Sequence, residues 1–109
     1  MKIIALALMA ALTQGYPVTQ PEYAAVHHGQ SMHHIEQHFD NTGTVVKRWT
    51  NPRGVHHRVK FYVGTDSNWP QPTEVYVYIW YHKTSGWREY RKRCEPQFDT
   101  STWKCPTPK

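Results

Sequence analysis

The chain has 109 residues, with 13 lysines and arginines, 8 aspartates and glutamates, 8 histidines and a formal net charge of +5. This length favours a single domain and excludes an assembly of several. No segment after residue 15 is long and apolar enough to be read as a membrane span.

The first fifteen residues have the layout of a secretory signal peptide. Lys2 supplies the positive n-region, residues 3–12 (IIALALMAAL) form the apolar stretch, and Gly15 is the small residue before the expected cleavage point. The apolar run is shorter than the roughly 20 residues of a spanning helix. We therefore expect residues 1–15 to be removed and the rest of the chain to be secreted.

Residues 16–30 contain proline and glutamine without a clear period, which predicts a loose N-terminal arm. A short helix is predicted over residues 31–40, because Met32, Ile35 and Phe39 fall on one helical stripe. Such a short helix is marginal in water by itself, so we expect it to dock on the rest of the domain.

The remainder of the chain alternates in the manner of antiparallel strands. Strands are predicted at Thr44–Thr50, Val55–Val63, Glu74–His82 and Trp87–Cys94, with a last short strand at Thr102–Cys105. The fold class is therefore α+β: one short N-terminal helix packed on an antiparallel sheet of four to five strands, in a single domain over residues 31–109. The helix stripe and the valine-rich strand faces are predicted to form the core.

Cys94 and Cys105 are the only cysteines, eleven positions apart. In an oxidising export route two such residues most simply pair with each other, which predicts one C-terminal disulfide. The alternatives are two free thiols or a bridge to another chain.

Basic and aromatic residues interleave on the predicted strands. Cations neutralise phosphates and flat rings stack on unpaired bases, so a sheet that displays both can bind single-stranded nucleic acid. The alternative is a solvated basic face whose aromatics only cover a small sheet. The candidate binding residues are Arg58, Lys60, Tyr62, Tyr76, Tyr78, Trp80, Arg88, Tyr90, Arg91 and Lys92.

Histidine clustering suggests a weaker possibility, a metal site. His34 and His38 stand four positions apart on the predicted helix, a spacing that can chelate one divalent ion. The helix offers no clear third ligand, and the alternative is a polar stripe opposite the apolar one. No cofactor is predicted.

A general acid and base for RNA cleavage could also be present. Ribonuclease chemistry needs a base for the 2′-hydroxyl, an acid for the leaving oxygen and a cation at the phosphate. No spacing selects one arrangement among the available residues, which are His56, His57, His82, Glu74, Glu89 and Arg58.

Residues 79–86 (IWYHKTSG), followed by Cys94, resemble the end of the fungal guanyl-specific ribonucleases. In that family a strand ends in the catalytic histidine, and a threonine-glycine-serine loop leads to a final cysteine. The resemblance implies a helix followed by an antiparallel sheet, with His82 as the catalytic histidine. The chain differs from the family in having no cysteine near residue 16, no glutamate-x-proline strand and no clear counterpart of the catalytic arginine.

The leader, the size, the single cysteine pair and the aromatic strands are also similar to small effectors secreted by plant-pathogenic fungi. Some of these are ribonuclease-like folds without catalytic residues, and others are β-sandwiches of the MAX group. The resemblance implies a virulence protein, secreted with or without entry into a host cell, that acts as a monomer on a host protein or single-stranded RNA. An extracellular ribonuclease is the alternative.

Two further alternatives remain. One is a histidine-rich metal-binding module. The other is a peptide precursor, because Lys47-Arg48 and Lys92-Arg93 are dibasic pairs and cleavage after Arg93 would release a looped C-terminal peptide.

Overall fold

The computed structural model describes residues 15–66, 73–96 and 105. Two helices precede four strands: α1 Gln20–Ala24, α2 Met32–Phe39, β1 Thr44–Thr50, β2 His56–Asp66, β3 Thr73–Thr84 and β4 Gly86–Pro96. The strands form one antiparallel sheet in the order β1-β2-β3-β4. The predicted α+β class is therefore confirmed, whereas residues 1–14 of the predicted leader and residues 102–104 of the predicted last strand lie outside the described residues.

Helix α2 lies where the apolar stripe predicts it. The Ser31 side chain caps its first turn by accepting a hydrogen bond from the His34 backbone N–H at 3.1 Å. Asp40 ends the helix in the left-handed conformation, with φ of 52°. Ile35 and Phe39 are buried against the sheet, so docking supplies the stability that so short a helix lacks.

The prediction of a loose arm over residues 16–30 is wrong, because this segment folds against the sheet and contains α1. Thr19 and Glu22 form a capping box at the start of α1, with Thr19 N donating to Glu22 Oε1 at 2.9 Å. Val18, Tyr23 and Val26 are buried in the core. These three residues are spaced too irregularly to give a periodic signal in the sequence.

The same segment also pairs with two strands of the sheet. Val18 bonds β2 through Val18 N to Val63 O and Thr65 N to Val18 O, both at 2.9 Å. Further along, Gly29 N donates to Glu89 O and Glu89 N donates to Gln30 O, again at 2.9 Å. Residues 15–31 therefore run from the edge of β2 to the outer edge of β4.

Helices α1 and α2 cover one face of the sheet, which we call the helix face. Strand β3 contributes its fully buried alternate residues to this face, as predicted: Val75, Val77, Ile79 and Tyr81.

The prediction for β2 has the two faces reversed. Tyr62 lies opposite Val77 and Lys60 opposite Ile79. The more polar face of β2 therefore contributes to the core, and the valine-rich face does not. Tyr62 and Lys60 are both buried. The core tolerates them because Glu36, on α2, bonds both side chains.

The predicted disulfide between Cys94 and Cys105 is present, with the Cα atoms 5.3 Å apart. Cys94 is buried on β4 and belongs to the core cluster, against which Cys105 packs. Among the described residues, the helices are all too short to traverse a bilayer.

Candidate binding face

The second face of the sheet carries a continuous set of aromatic and imidazole rings. We call it the open face, because neither helix of the described chain packs on it. Residues directly opposite each other in the register share a face, which places Trp49 with His57, and Phe61 with Tyr78. The rings of the open face are Trp49, His57, Phe61, Tyr76, Tyr78, Trp80, His82 and Tyr90.

One half of the open face is a ladder of four rings, which are all partly exposed. Phe61 lies between two tyrosines of β3, with ring centroids 5.9 Å from Tyr76 and 5.3 Å from Tyr78. Tyr78 is in turn 6.4 Å from Trp80. Because side chains of β3 alternate between faces, the three β3 rings repeat along the strand at about 7 Å.

Two arginines of β4 lie over this ladder. The Arg91 guanidinium is 4.6 Å from the Trp80 ring centroid, and that of Arg93 is 5.6 Å from Tyr78. Arg91 is exposed, and Arg93 also pairs with Glu95 at 2.9 Å. The ladder therefore presents π surfaces and positive charge side by side.

The other half of the open face is a histidine cluster of four rings. His57 stacks on Trp49, with centroids 4.8 Å apart and an interplanar angle of 12°. Tyr90 meets His57 edge-on at 5.4 Å. His82 lies directly opposite His57 in the register, with its ring 6.0 Å from His57 and 4.8 Å from Tyr90.

Hydrogen bonds fix the orientation of the His57 ring. The Asn51 side-chain oxygen accepts from the backbone N–H groups of Arg53 and Val55 at 2.9 and 3.0 Å, so the Asn51 amide nitrogen is the group that faces His57. That nitrogen donates to His57 Nε2 at 3.3 Å, while His57 Nδ1 lies 3.0 Å from the Tyr90 hydroxyl. Nε2 must then hold its lone pair and Nδ1 its proton, so both ring nitrogens are occupied.

Three predicted binding residues of β2 lie on the helix face instead of the open face. Lys60 Nζ lies 2.6 Å from Glu36 Oε2, and the Tyr62 hydroxyl donates to the same oxygen at 2.7 Å. Tyr62 is also 2.7 Å from the Tyr81 hydroxyl. Burial raises the pKa of both tyrosines far above the ordinary value, which keeps the hydroxyls protonated. Arg58 is the third, and it stacks on Trp87.

Lys92 is likewise occupied within the fold. Its ammonium donates to the carbonyl oxygens of Tyr23 and Val26, both at 2.9 Å, and lies 4.6 Å from the Tyr23 ring. This places a cation at the C-terminal end of α1. Burial lowers the pKa of Lys92, and the charge of Glu89 partly offsets the effect. Arg88 bonds the Gly29 carbonyl oxygen at 3.4 Å.

The structure therefore divides the predicted binding set. Five members lie together on the open face: Tyr76, Tyr78, Trp80, Tyr90 and Arg91. The other five make contacts within the fold as described above. The sequence interpretation missed Trp49, Phe61 and Arg93 as members of this face, although the pairing of β1 with β2 across the turn at Asn51 would have indicated Trp49.

Among the proposed catalytic partners of His82, His57 lies beside it with the two rings 6.0 Å apart, whereas the two glutamates lie elsewhere. Glu89 is buried away from the histidine cluster, where its carboxylate accepts from Gly29 N at 3.3 Å and lies 3.7 Å from His28. Glu74 is eight residues from His82 along β3, about 26 Å in an extended strand. No acidic side chain of the described chain contacts His57.

The metal site at His34 and His38 stays a prediction. Both residues are exposed on α2. Among the described residues, no three histidine, cysteine, aspartate or glutamate side chains are grouped so that they could hold an ion.

Comparisons with known proteins give no relative from which a function could be transferred. No family model, no curated protein and no solved structure matches this chain. The function must therefore be inferred from the open face and its surroundings.

Proposed function

We propose that this chain is a small secreted binding protein, similar in kind to a fungal effector, that holds single-stranded RNA on the open face of its sheet. The observation that carries the proposal is the ladder of partly exposed rings, with Arg91 and Arg93 lying over Trp80 and Tyr78. The Cys94–Cys105 bridge supports an oxidising destination such as the secretory route.

Stacking would supply the affinity. Each base that stacks on an aromatic side chain contributes about 1–3 kcal/mol, and stacking tolerates any base because each has a π face. Rings that repeat along β3 can receive successive bases of one strand. The adjoining guanidiniums add cation–π contacts to the same rings.

The charge of the open face favours an anionic partner. Arg91 and Arg93 flank the ladder, and Lys47 lies 5.1 Å from the Trp49 ring at the other side of the face. Glu95 offsets part of this charge through its pair with Arg93. Phosphate contacts of this kind release counterions, so binding should weaken as the salt concentration rises.

One observation favours an extracellular ribonuclease as the second candidate. The His57 and His82 rings lie 6.0 Å apart on the open face, which is close enough for both to approach one phosphate. Proton transfer, however, needs a ring nitrogen that is free to exchange a proton with substrate. Both nitrogens of His57 are already bonded, to Asn51 and Tyr90. This arrangement supports binding without turnover.

The test is fluorescence anisotropy of a labelled single-stranded oligouridylate with purified, oxidised protein at about 50 and about 200 mM salt. Trp80→Ala and Arg91→Ser should each weaken binding about tenfold, the equivalent of about 1.4 kcal/mol per site. Matched controls are Tyr16→Ala, a residue that is 69% exposed and is not a member of the ladder, and Arg53→Ser in the exposed turn before β2. Both controls should bind as the unchanged protein does.

The same samples, incubated and resolved on a gel, test the ribonuclease. Cleavage that disappears in His82→Ala would make the protein an enzyme. Absence of RNA binding at low salt would refute the RNA proposal. Capture of a host protein that is lost in Trp80→Ala would then assign the open face to a protein partner.

A further inference from the structure

A cleft of about 450 Å³ lies where the ends of β1 and β2 meet β4, and two arginines are part of its lining. Its walls are Arg48, Thr50, His56, Arg58 and Trp87, together with Trp49 and His57 of the open face. None of its described lining residues is acidic. Its volume falls within the range of about 300–1,000 Å³ that is typical of small-ligand sites.

The two arginines of this cleft are direct cross-strand partners, Arg48 on β1 and Arg58 on β2. Like charges placed directly opposite each other destabilise an antiparallel pair. Glu36 is the acidic residue whose charge acts on Arg58. Its Oε2 atom is already bonded to Lys60 and Tyr62. The fold thus brings together two positive charges without a dedicated counter-charge among the described residues.

Arg58 is packed against an aromatic neighbour. Its guanidinium lies 3.8 Å from the Trp87 ring centroid, and its Nε atom is buried with no hydrogen-bond partner among the described residues. Burial lowers the pKa of Arg58, and the positive charge of Arg48 lowers it further. An anion between the two arginines would offset both effects, since arginine stays charged in proteins.

One uncharged donor, on His56, completes the site. The Thr50 hydroxyl lies 2.9 Å from His56 Nδ1. When the hydroxyl donates to Nδ1, the neutral His56 ring carries its proton on Nε2, and this N–H is the uncharged donor. Two guanidinium forks with an imidazole N–H match the several oxygens of a phosphoryl group better than a single carboxylate.

We infer that this cleft is an anion site that binds a phosphoryl group, with Arg48 and Arg58 as its principal ligands. Arg48 and Arg58 lie on the opposite face of the sheet from the aromatic ladder, so the inference goes beyond the open-face function and does not rest on it. The phosphoryl group could belong to a small phosphate monoester or to the backbone of a nucleic acid, and the experiment separates the two.

The test is isothermal titration of the purified, oxidised protein with adenosine monophosphate, inorganic phosphate and adenosine. We expect the two phosphates to bind and adenosine not to bind. Arg48→Met and Arg58→Met should each weaken the affinity for adenosine monophosphate at least tenfold. Arg53→Met, which removes one positive charge from the neighbouring exposed turn, should leave it within twofold.

Arg48 is exposed, so Arg48→Met keeps the test valid even if Arg58→Met perturbs folding. Trp80→Ala, on the open face, should bind adenosine monophosphate normally, which separates this site from the proposed RNA surface. Equal binding by Arg48→Met, or no binding of either phosphate at millimolar concentration, would overturn the inference.

A pair of otherwise identical RNA oligonucleotides, with and without a 5′-phosphate, distinguishes the two sources. A preference for the phosphorylated oligonucleotide that is lost in Arg48→Met assigns the site to terminal monoesters. Equal binding of both that weakens in Arg48→Met assigns it to backbone phosphates.

Discussion

Replacing Glu36 with glutamine should destabilise the protein strongly, because Glu36 is the centre of the polar network in the core. Its Oε2 atom bonds Lys60 Nζ at 2.6 Å and the Tyr62 hydroxyl at 2.7 Å. The side chains of Lys60 and Glu36 are only 10% and 14% exposed. Glutamine keeps the shape of the side chain but leaves the Lys60 ammonium without a counter-charge in a site that water hardly reaches.

The expected cost follows from the burial of this pair. Removing one partner of a buried ion pair costs about 3–5 kcal/mol, and we expect about 3 kcal/mol here because an amide oxygen can still accept one hydrogen bond. Replacing both charges by apolar residues of similar size is often neutral. The double variant Glu36→Leu with Lys60→Met should therefore lie within about 1 kcal/mol of the unchanged protein, since Tyr62 retains its bond to Tyr81.

The assay is urea unfolding followed by tryptophan fluorescence, with the free energy of unfolding extrapolated to water. Glu95→Gln is the matched control, because the Arg93–Glu95 pair is 34% and 55% exposed. We expect that control to cost less than about 0.5 kcal/mol. A Glu36→Gln cost as small as that of Glu95→Gln would refute the reasoning and show that Lys60 is solvated by water.

Two further predictions concern other buried groups. Burial raises the pKa of Tyr23 to about 12 and that of Tyr62 and Tyr81 beyond this, from an ordinary 10.0. The unfolded chain therefore releases protons above pH 10 that the folded chain retains, so stability should fall as the pH rises. Urea unfolding at about pH 8 and about pH 11 measures this fall. An unchanged free energy of unfolding would contradict the burial of these tyrosines. Lys92→Met removes the ammonium that bonds the carbonyls of Tyr23, in α1, and Val26, just after it, so we expect a loss of about 2 kcal/mol and faster hydrogen exchange at the Val26 N–H, which donates to Tyr23 O. Unchanged exchange there would mean that α1 does not depend on Lys92.

The parts of the fold that could be predicted from the sequence are those with short-range signals. Strand β3 alternates two sets of large apolar residues over its length, and the stripe of α2 ends at a residue that can adopt the left-handed conformation. The disulfide could be predicted from the number of cysteines and from the oxidising compartment that the leader implies. Each of these signals lies within about a dozen residues, the span over which periodicity and capping can be recognised.

The reversed face of β2 has a physical reason that the sequence hides. Counting apolar residues favours the face of Val59 and Phe61 as the core. Burying Tyr62 and Lys60 becomes favourable only because Glu36, more than twenty residues earlier, supplies a charged acceptor. A shift of one residue in register moves every side chain of a strand to the other face.

The candidate site, like the fold, could be predicted only where its residues follow a short-range pattern. The sequence predicts that Tyr76, Tyr78 and Trp80 share one face, because they alternate within one strand. The charge of Arg58 and Lys92 indicates exposure, which places them in the same predicted set. Arg58 contacts the Trp87 ring, and Lys92 bonds the carbonyls of Tyr23 and Val26. Both are long-range contacts that no local sequence pattern predicts.

The two borders of the sheet differ, and this limits how copies of the chain could assemble. Gly29 and Gln30 occupy part of the outer border of β4, whereas no described strand pairs with the outer border of β1. Fibre growth by strand addition needs a free border at each end of every added copy. The pairing at Glu89 leaves the outer border of β1 as the more open one, so a second copy would join more readily through β1 than through β4. The register irregularity between Val45 and Lys47 and the charge of Lys47 oppose even this first step.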